Sequence, residues 1–368
     1  MTRLPKSPLP RDESRCLTVG VLAPGHEHGG VRRYGEVIAA GLGQLDGVEV
    51  RTVHLAATHP GRRGLREART IVAALRDVDV VVLPYTRFHT WSPTISRLLQ
   101  LAVVHLGLRR RTLTVLHDAY EPGAPTHAEW WVLAMVLLAS GRVVVHSNAD
   151  RRRLRRVVGA RRARVIPHFV VERTLADHRA MRARFGVAED RTVVAMLGWL
   201  HERKNYMLAV QALALTPQTV ELWLIGGADD EMASYRDRLV QEAERSGVLS
   251  RITFTGSVSE EELESRLAAV DVGLCPYRRI SASGSLSTLL GARIPVIVSD
   301  VPFTRELREL APEVVHTLPD LQPATIAAAI VAQADGHPDP DGFSPILGER
   351  SVPATAARYA TQLAELVG

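Results

Sequence analysis

The sequence predicts an α/β protein built from two doubly wound domains. From Leu17 to about Asp300, short β-branched runs alternate with longer stretches of helical spacing, which is typical of βαβ units around parallel sheets. The chain has 368 residues, whereas a typical single domain has about 100–200. We therefore expect two domains, each with its own buried core.

The composition is that of a globular protein, with 46% hydrophobic and 23% charged residues. A net charge of +5 on a chain of this length is too small to require a polyanionic partner. Of the 45 Lys and Arg residues, only Lys6 and Lys204 are lysine. Arginine is thus the default cation of this chain, and Lys204 is unusual.

The sequence also favours a cytoplasmic protein. Cys16 and Cys275 are far apart and indicate neither a zinc site nor a disulfide framework, which fits a reducing compartment. The longest apolar run, Trp130–Ala139, is well short of the roughly 20 residues that a membrane-spanning helix needs. The polar N-terminus has no apolar core of a signal peptide.

The strands are predicted in two series, with a boundary between them. A charged stretch without β-branched runs, Val170–Asp190, predicts a mobile linker. We expect a first domain of residues 1–170, joined by a C-terminal helix in 351–368, and a second domain of residues 171–350. The predicted strands are Leu17–Ala23, Val48–Leu55, Val78–Pro84, Thr112–His117, Arg142–His146 and Arg164–Pro167, then Thr192–Leu197, Glu221–Gly226, Ile252–Thr255, Val272–Pro276 and Pro295–Ser299.

Two loops of the first domain could carry chemistry, because ligands of doubly wound sheets bind beyond the carboxyl ends of the strands. Gly29 and Gly30 follow the first strand and allow close backbone approach at a helix N-terminus. An ordinary turn is the alternative. His26 lacks the further ligands that a metal site needs. His117, before Asp118, could donate a hydrogen bond to a substrate, or the pair could simply end the strand.

Two loops of the second domain predict a phosphate site. Arg203 and Lys204 stand just before a helix, where the macrodipole disfavours cations unless an anion is bound. Ser283, Gly284 and Ser285 begin another helix, whose N–H groups could bind an anion. A serine N-cap is the simpler interpretation of Ser283.

The Arg-rich segment Arg151–Arg164 (RRRLRRVVGARRAR) has two interpretations. It could be the solvated face of a helix, or it could contact anionic lipid headgroups at a membrane surface. Nucleic-acid binding is not predicted, because no aromatic residues are interleaved with the charges.

From Val165 to Glu306 the sequence resembles the nucleotide-sugar-dependent glycosyltransferases of family 4. The resemblance lies in the order and spacing of VIPHF, LGWLHERKN, LWLIGG, ITFTGSVSEEEL, VDVGLCPYRRISASGSL and IPVIVSDVP. The first domain adds, more loosely, GG-x3-Y at Gly29, Gly30 and Tyr34, and the His117–Asp118 pair. The resemblance implies the GT-B architecture of two facing Rossmann-like doubly wound domains, with a C-terminal helix that crosses back to the first.

The resemblance also implies a retaining transfer of a sugar from a nucleotide-diphosphate sugar to a hydroxyl acceptor. Lys204, with Arg203, would neutralise the leaving diphosphate, and His117 would contact the donor sugar; His117 and Lys204 are the implied catalytic residues. The acceptor would be a sugar, a cyclitol, a natural product or a lipid-linked glycan. The implied donor-binding residues are Gly29, Gly30, Gly198, Arg203, Lys204, Val258, Ser283, Gly284, Ser285, Leu286 and Thr288, and the implied acceptor-binding residues are His26, Tyr34, Asp118 and Tyr120.

The sequence departs from the family pattern at three positions. Ile280 and Thr288 stand where the family usually has a pair of glutamates that contact the donor sugar and the ribose. Trp199 stands where the family frequently has an arginine. The donor is expected to be a UDP- or GDP-sugar, with no cofactor and no metal. The alternatives are a nucleotide-sugar epimerase of the same architecture and a non-catalytic partner of another transferase.

Overall fold

The computed structural model describes residues 16–24, 30–55, 61–85, 94–108, 111–117, 134–158, 162–227, 233–278, 280, 282–334 and 339–367. The chain forms two compact units. Unit 1 consists of the described residues up to Phe169 together with those from Val352 onward, and unit 2 consists of those in Val170–Ser351. The chain therefore passes from unit 1 to unit 2 and returns.

Unit 1 contains a six-stranded sheet in the order β2-β1-β3-β4-β5-β6. Every pairing is parallel. All residues of β3 and β4 are buried, as expected for parallel strands that helices cover on both faces. The strands are β1 (Leu17–Pro24), β2 (Val48–Leu55), β3 (Val80–Tyr85), β4 (Thr112–Leu116), β5 (Arg142–Val145) and β6 (Ala163–Val165).

The helices of unit 1 include the last helix of the described chain. They are α1 (Gly30–Leu42), α2 (Gly61–Leu75), α3 (Thr94–Gly107) and α4 (Asn148–Val158), and α13 (Val352–Val367) joins them from the far end of the sequence. Residues 134–139 are also helical.

Helix α13 packs on α1. A Cβ atom added at Gly41 of α1 would lie 2.8 Å from a methyl group of Val352, so the absence of a side chain there allows the helices to approach. Tyr34 of α1 and Tyr359 of α13 share a hydrogen bond of 2.7 Å between their hydroxyls. The predicted return of the C-terminal helix to the first domain is confirmed.

Unit 2 contains a second six-stranded parallel sheet, in the order β12-β11-β10-β7-β8-β9. Strand β12 was not predicted from the sequence. It is an edge strand of only four residues, two of which are polar and half-buried, so it lacks a continuous apolar run. The strands are β7 (Thr192–Leu197), β8 (Val220–Ile225), β9 (Ile252–Gly256), β10 (Val272–Cys275), β11 (Val296–Ser299) and β12 (Val315–Leu318).

Eight α-helices surround this sheet among the described residues. A short 3₁₀ turn, Glu202–Lys204, precedes the second of them. The helices are α5 (His178–Arg184), α6 (Tyr206–Leu213), α7 (Ala233–Arg245), α8 (Glu260–Leu267), α9 (Gly284–Gly291), α10 (Pro302–Leu310), α11 (Pro323–Ala334) and α12 (Ser344–Glu349).

The prediction of a mobile linker over 170–190 is wrong. This stretch contains α5, and two of its arginines are held by distant partners. Arg173 pairs with Glu260 at 3.2 Å and Glu264 at 2.8 Å. Arg182 is buried and donates to Asp271 at 2.8 Å. The charges that suggested a solvated linker instead attach this segment to unit 2.

The Arg-rich segment forms helix α4, with Leu154 buried and Arg152 and Arg155 exposed. Contact of this helix with an anionic membrane stays a prediction. Within the described ranges, none of the helices has the length and apolarity to cross a membrane.

Candidate active site

The loop after β7 places Lys204 against the end of its own strand. The ammonium group donates to the carbonyl oxygen of Leu197 at 2.6 Å and to Ser285 Oγ at 3.1 Å, and it lies 5.6 Å from the centre of the Tyr277 ring. An ammonium group has three N–H donors. These two contacts leave one donor for a ligand oxygen.

The partly enclosed position of Lys204 changes its acidity. Burial lowers the pKa of the ammonium to about 8; the nearby Cys275 acts against this shift and Arg203 adds to it. The side chain is charged at neutral pH but is more easily deprotonated than a surface lysine. A bound phosphate would favour the charged form.

Gly198 leaves room for the ammonium. Its φ is +96°, a conformation that side chains other than glycine rarely adopt. A Cβ atom there would stand 2.3 Å from Lys204 Nζ and 3.0 Å from Ser285 Oγ. Gly198 is thus directly beside the two polar groups, and its contact with a donor stays a prediction.

Two residues that the sequence analysis did not single out hold this loop in place. Asn205 has left-handed backbone angles, φ 59° and ψ 38°, and its side-chain amide donates to the carbonyl oxygen of Pro276 at 2.6 Å. The Tyr206 hydroxyl donates to the carbonyl oxygen of Gly198 at 2.8 Å. The loop after β7 is therefore attached to the loop after β10.

The start of α9 provides Ser285, the second hydrogen-bond partner of Lys204. Ser283 is the N-cap, and its hydroxyl accepts from the backbone N–H of Leu286 at 3.1 Å. The simpler interpretation of Ser283, an N-cap, is confirmed. Ser285, two residues further on, contacts Lys204, and anion binding at this helix start stays a prediction. Gly284 is exposed, and a Cβ atom added there would meet nothing within 4 Å, so a ligand could approach its backbone.

The remaining predicted donor residues of unit 2 are not all available to a ligand through their side chains. Leu286 is buried, and Val258 and Ile280 pack against the core of unit 2. Arg203 is exposed, and Thr288 is half-buried on α9. Leu286 and Val258 could therefore contact a donor mainly through their backbone.

Glycines with positive φ angles follow or end strands β8 and β9. Gly226 has φ +147°, and its Cβ would lie 2.3 Å from the carbonyl oxygen of Gly198. Gly256, at the end of β9, has φ +68°. The sequence signal was the Gly226–Gly227 pair directly after a buried strand.

Unit 1 contains a separate cluster of rings around Tyr34. His117, His146 and His168 are buried, and each lies within 5.5 Å of the Tyr34 ring, centroid to centroid. The hydroxyl of Tyr34 is bonded to Tyr359. Tyr34 is therefore a packing residue between α1 and α13, a position that does not fit the predicted contact with an acceptor.

The hydrogen bonds of the cluster orient His117. Nδ1 of His146 donates to the carbonyl oxygen of Ile166 at 2.9 Å, and Nε2 of His146 lies 3.3 Å from Nδ1 of His117. In neutral rings, Nδ1 of His117 is then the donor, and its lone pair is on Nε2. Such a His117 accepts at Nε2, the reverse of the donor role that the sequence suggested.

Burial, with His146 and His168 nearby, holds the pKa of His117 well below its usual value. His117 is therefore neutral at physiological pH, which is the form that this hydrogen-bond arrangement requires.

The other predicted site residues of the first domain are only partly described. Gly30 is exposed at the start of α1 with open space around it. Gly29, His26, Asp118 and Tyr120 lie outside the described residues. Among the described residues, no group of three or more His, Cys, Asp or Glu side chains could hold a metal ion.

Solved structures share this architecture over nearly the whole chain. Sucrose-phosphate synthase from Thermosynechococcus elongatus matches with a TM-score of 0.72 at 19% identity, covering 95% of this chain and 99% of that chain. Anabaena Alr3699/HepE, in complex with UDP and glucose, matches with a TM-score of 0.70 at 18% identity, covering 95% and 96%. The fold is GT-B, as the sequence predicted.

Family models match both parts of the chain. Residues 14–172 match Glycosyltransferase Family 4, and residues 191–334 match Glycosyl transferases group 1. The chain therefore belongs to the family 4 and group 1 glycosyltransferases.

Curated relatives match over a shorter stretch. D-inositol 3-phosphate glycosyltransferase of Mycobacterium leprae is 28% identical over 163 residues, which are 43% of this chain and 37% of that protein. The protein of the same name from Mycobacterium tuberculosis strain F11 is 28% identical over 43% of this chain and 33% of that protein. The match thus spans little more than a third of these relatives.

Proposed function

We propose that the chain is a retaining glycosyltransferase that moves a sugar from a nucleotide-diphosphate sugar to a hydroxyl acceptor. The observation that carries this proposal is the juxtaposition of Lys204 Nζ with Ser285 Oγ, at 3.1 Å, beside the bared backbone of Gly198. A half-buried ammonium next to a helix N-terminus suits a diphosphate group.

The chemistry would be mainly electrostatic. As the bond between the sugar and the diphosphate breaks, negative charge grows on the phosphate oxygens, and the ammonium of Lys204 would stabilise it. Because Leu197 and Ser285 already fix the ammonium, little reorganisation is needed during the reaction. In a retaining transfer on one face of the sugar, the leaving phosphate would take the acceptor proton. No pair of carboxylates would then be needed.

The donor is proposed to be a UDP- or GDP-sugar. Support for UDP comes from the fold-related Anabaena protein, which was solved with UDP and glucose. Gly198, Arg203, Gly284 and Thr288 stay the predicted further donor contacts of unit 2, and Gly30 and His117 those of unit 1. A cyclitol or sugar hydroxyl is the proposed acceptor, since the curated relatives are named for D-inositol 3-phosphate.

A binding and turnover screen tests this proposal. We expect at least one of UDP-, GDP-, ADP- and dTDP-sugars to bind, and to release its nucleotide when a hydroxyl acceptor is present. Lys204→Ala should weaken binding by about 2 kcal/mol or more, because a charge-assisted phosphate contact is lost. Lys6→Ala removes the same charge at the only other lysine and should have no effect.

The same screen separates the alternatives. Binding without nucleotide release, together with a changed sugar in the donor, would identify an epimerase. Failure of every nucleotide sugar to bind at millimolar concentration would refute the proposal in favour of a non-catalytic partner protein.

A further inference from the structure

Trp199 is an exposed aromatic side chain on the same loop as Lys204. It is 46% exposed, whereas Trp223 of the adjacent strand β8 is 2% exposed in the core. Among the large hydrophobic side chains that the described residues leave exposed, Trp199 is the only aromatic one. The loop therefore presents a large flat ring to the exterior within five residues of the proposed phosphate-binding lysine.

The ring of Trp199 lies next to Gly227 and Ser257, which follow β8 and β9. A Cβ atom added at Gly227 would lie 3.4 Å from Cζ3 of Trp199 and 2.4 Å from Ser257 Oγ. The backbone N–H of Leu200 donates to the carbonyl oxygen of Gly227 at 3.0 Å, which fixes the Trp199 loop to the end of β8. The indole and the exposed Ser257 thus lie close together, on either side of the buried Gly227.

The spacing between this ring and Lys204 suits a nucleotide. Lys204 bonds to the end of β7 and to Ser285, which follows β10, whereas Gly227 and Ser257 follow β8 and β9. The sheet order is β10-β7-β8-β9, and neighbouring strands lie about 4.8 Å apart. A ligand that reaches from Lys204 to Ser257 would therefore extend roughly 10 Å across the strand ends, as a nucleoside diphosphate can.

We propose that Trp199 stacks on the nucleobase of the nucleotide that unit 2 binds. This inference rests on the proposed function, because it takes the diphosphate to lie at Lys204. Every base has a flat π-face, and stacking on an aromatic side chain corresponds to about a 5- to 150-fold gain in affinity. The hydroxyl of the exposed Ser257 would contact the edge of the base.

The position favours the base over the donor sugar. A sugar is recognised through several hydroxyl groups, and the hydroxyl side chains Ser283, Ser285 and Thr288 stand on or just before α9, which follows β10. In the strand order these side chains lie on the side of Lys204 opposite to Trp199. Trp199 stands where the family frequently has an arginine. Unlike arginine, its side chain is uncharged and cannot neutralise a phosphate.

Calorimetric titrations test the stacking. The ligands are UDP, GDP, ADP, dTDP and inorganic pyrophosphate, and the proteins are the wild type, Trp199→Leu, Trp199→Phe and Lys204→Ala. Trp199→Leu should weaken the tightest nucleoside diphosphate at least about fivefold and leave pyrophosphate unchanged. Trp199→Phe keeps an aromatic face and should bind more tightly than Trp199→Leu. Lys204→Ala should weaken both kinds of ligand.

Leu215→Ala is the matched control, because Leu215 is a 59% exposed apolar residue away from the site; its affinities should equal those of the wild type. The stacking is refuted if Trp199→Leu binds the nucleoside diphosphate normally, or if it loses pyrophosphate equally. The nucleotide sugar of the tightest-binding nucleotide is titrated in parallel. A loss seen only with this sugar-bearing donor would also refute the stacking and would assign the ring to the sugar. If the wild type bound no nucleoside diphosphate, the proposed function itself would fail.

Discussion

Lys204 must be charged to bind a diphosphate, yet its surroundings favour the neutral amine. Two of its donors are directed at Leu197 and Ser285, so the ammonium is held in a fixed direction. Arginine could not replace this arrangement without change, because its planar fork is larger and contacts two oxygens at once. This arrangement explains why position 204 is a lysine in a chain whose other cations are almost all arginine.

The affinity for nucleoside diphosphates should depend on pH. Since the pKa of Lys204 is lowered to about 8, the ammonium is present below this value and is lost as the pH rises through it. Nucleoside diphosphate affinity should therefore fall between about pH 7.5 and 9, as titrations at constant ionic strength would show. Lys204→Arg stays charged over this range, so its affinity should be independent of pH whatever its absolute value.

The contribution of Lys204 to the stability of the ligand-free protein should change in the opposite direction. The pKa of Lys204 is lower in the folded state than the roughly 10.4 of an unperturbed lysine, so the unfolded chain binds more protons between these values. The contribution of Lys204 to the free energy of unfolding therefore rises with pH above about 8. The free energy of unfolding of the wild type relative to that of Lys204→Ala should therefore rise with pH over this range, and a fall in this difference would contradict the assignment of the titration to Lys204.

The sequence could single out the proposed phosphate-binding residues because each lies in a loop that follows a recognisable strand. Lys204 and Ser285 are 81 positions apart, and the structure brings them within hydrogen-bond distance. The supporting residues could not be predicted in this way. Tyr206 looks like any apolar helix residue, and its role depends on a carbonyl oxygen of Gly198 that only the folded loop exposes.

Asn205 connects the loop after β7 with the loop after β10. It takes the left-handed conformation required between the 3₁₀ turn and α6, and its amide reaches Pro276 after β10. The left-handed turn depends on the backbone of Asn205, whereas the contact with Pro276 depends on its side chain. Two substitutions can separate them.

We expect Asn205→Gly to retain the left-handed turn but to lose the amide contact with Pro276, at a cost of about 1–2 kcal/mol. Asn205→Ala should lose both and be less stable than Asn205→Gly by about 1 kcal/mol more. Denaturant unfolding of the full chain measures the difference. Gly348→Ala is a control of opposite sign: open space surrounds that helical glycine, so this change should stabilise the protein by about 0.4–1 kcal/mol. Equal stability of the two Asn205 variants would show that the backbone conformation carries no strain.

Two strands were predicted with the bounds that the structure shows, β2 at an edge of the first sheet and β7 within the second. Residues of β7 are all buried, and the sequence there is a continuous apolar run with the boundaries that the structure shows. β12 and α5 were missed for a different reason. β12 is a half-polar edge strand, and α5 is anchored through Arg182 to Asp271, 89 positions away, a partner that local patterns do not reveal.

At the scale of the whole molecule, unit 1 is discontinuous in sequence. Helix α13 contributes Ala356, Tyr359, Ala360 and Leu363 to its interior, all fully buried. These side chains fill space beside α1 that no earlier segment of the described chain occupies. The stability of unit 1 therefore depends on residues that follow unit 2.

Leu363→Ala should accordingly destabilise unit 1 by about 2–5 kcal/mol, the usual cost of a cavity at a buried leucine. Val367→Ala, at a 43% exposed position of the same helix, should change the free energy of unfolding by less than about 0.5 kcal/mol. Thermal unfolding of the two variants makes the comparison. A similar small effect of both changes would mean that α13 is dispensable for the core.

The return of the chain to unit 1 also determines the order in which the protein can be completed on the ribosome. Domains generally fold in the order of their synthesis, the N-terminal one first. Here unit 2 has all its residues once Ser351 has emerged, whereas unit 1 still lacks α13. The part of the protein that is translated first is therefore finished last, and its unfilled surface beside α1 stays open throughout the synthesis of unit 2.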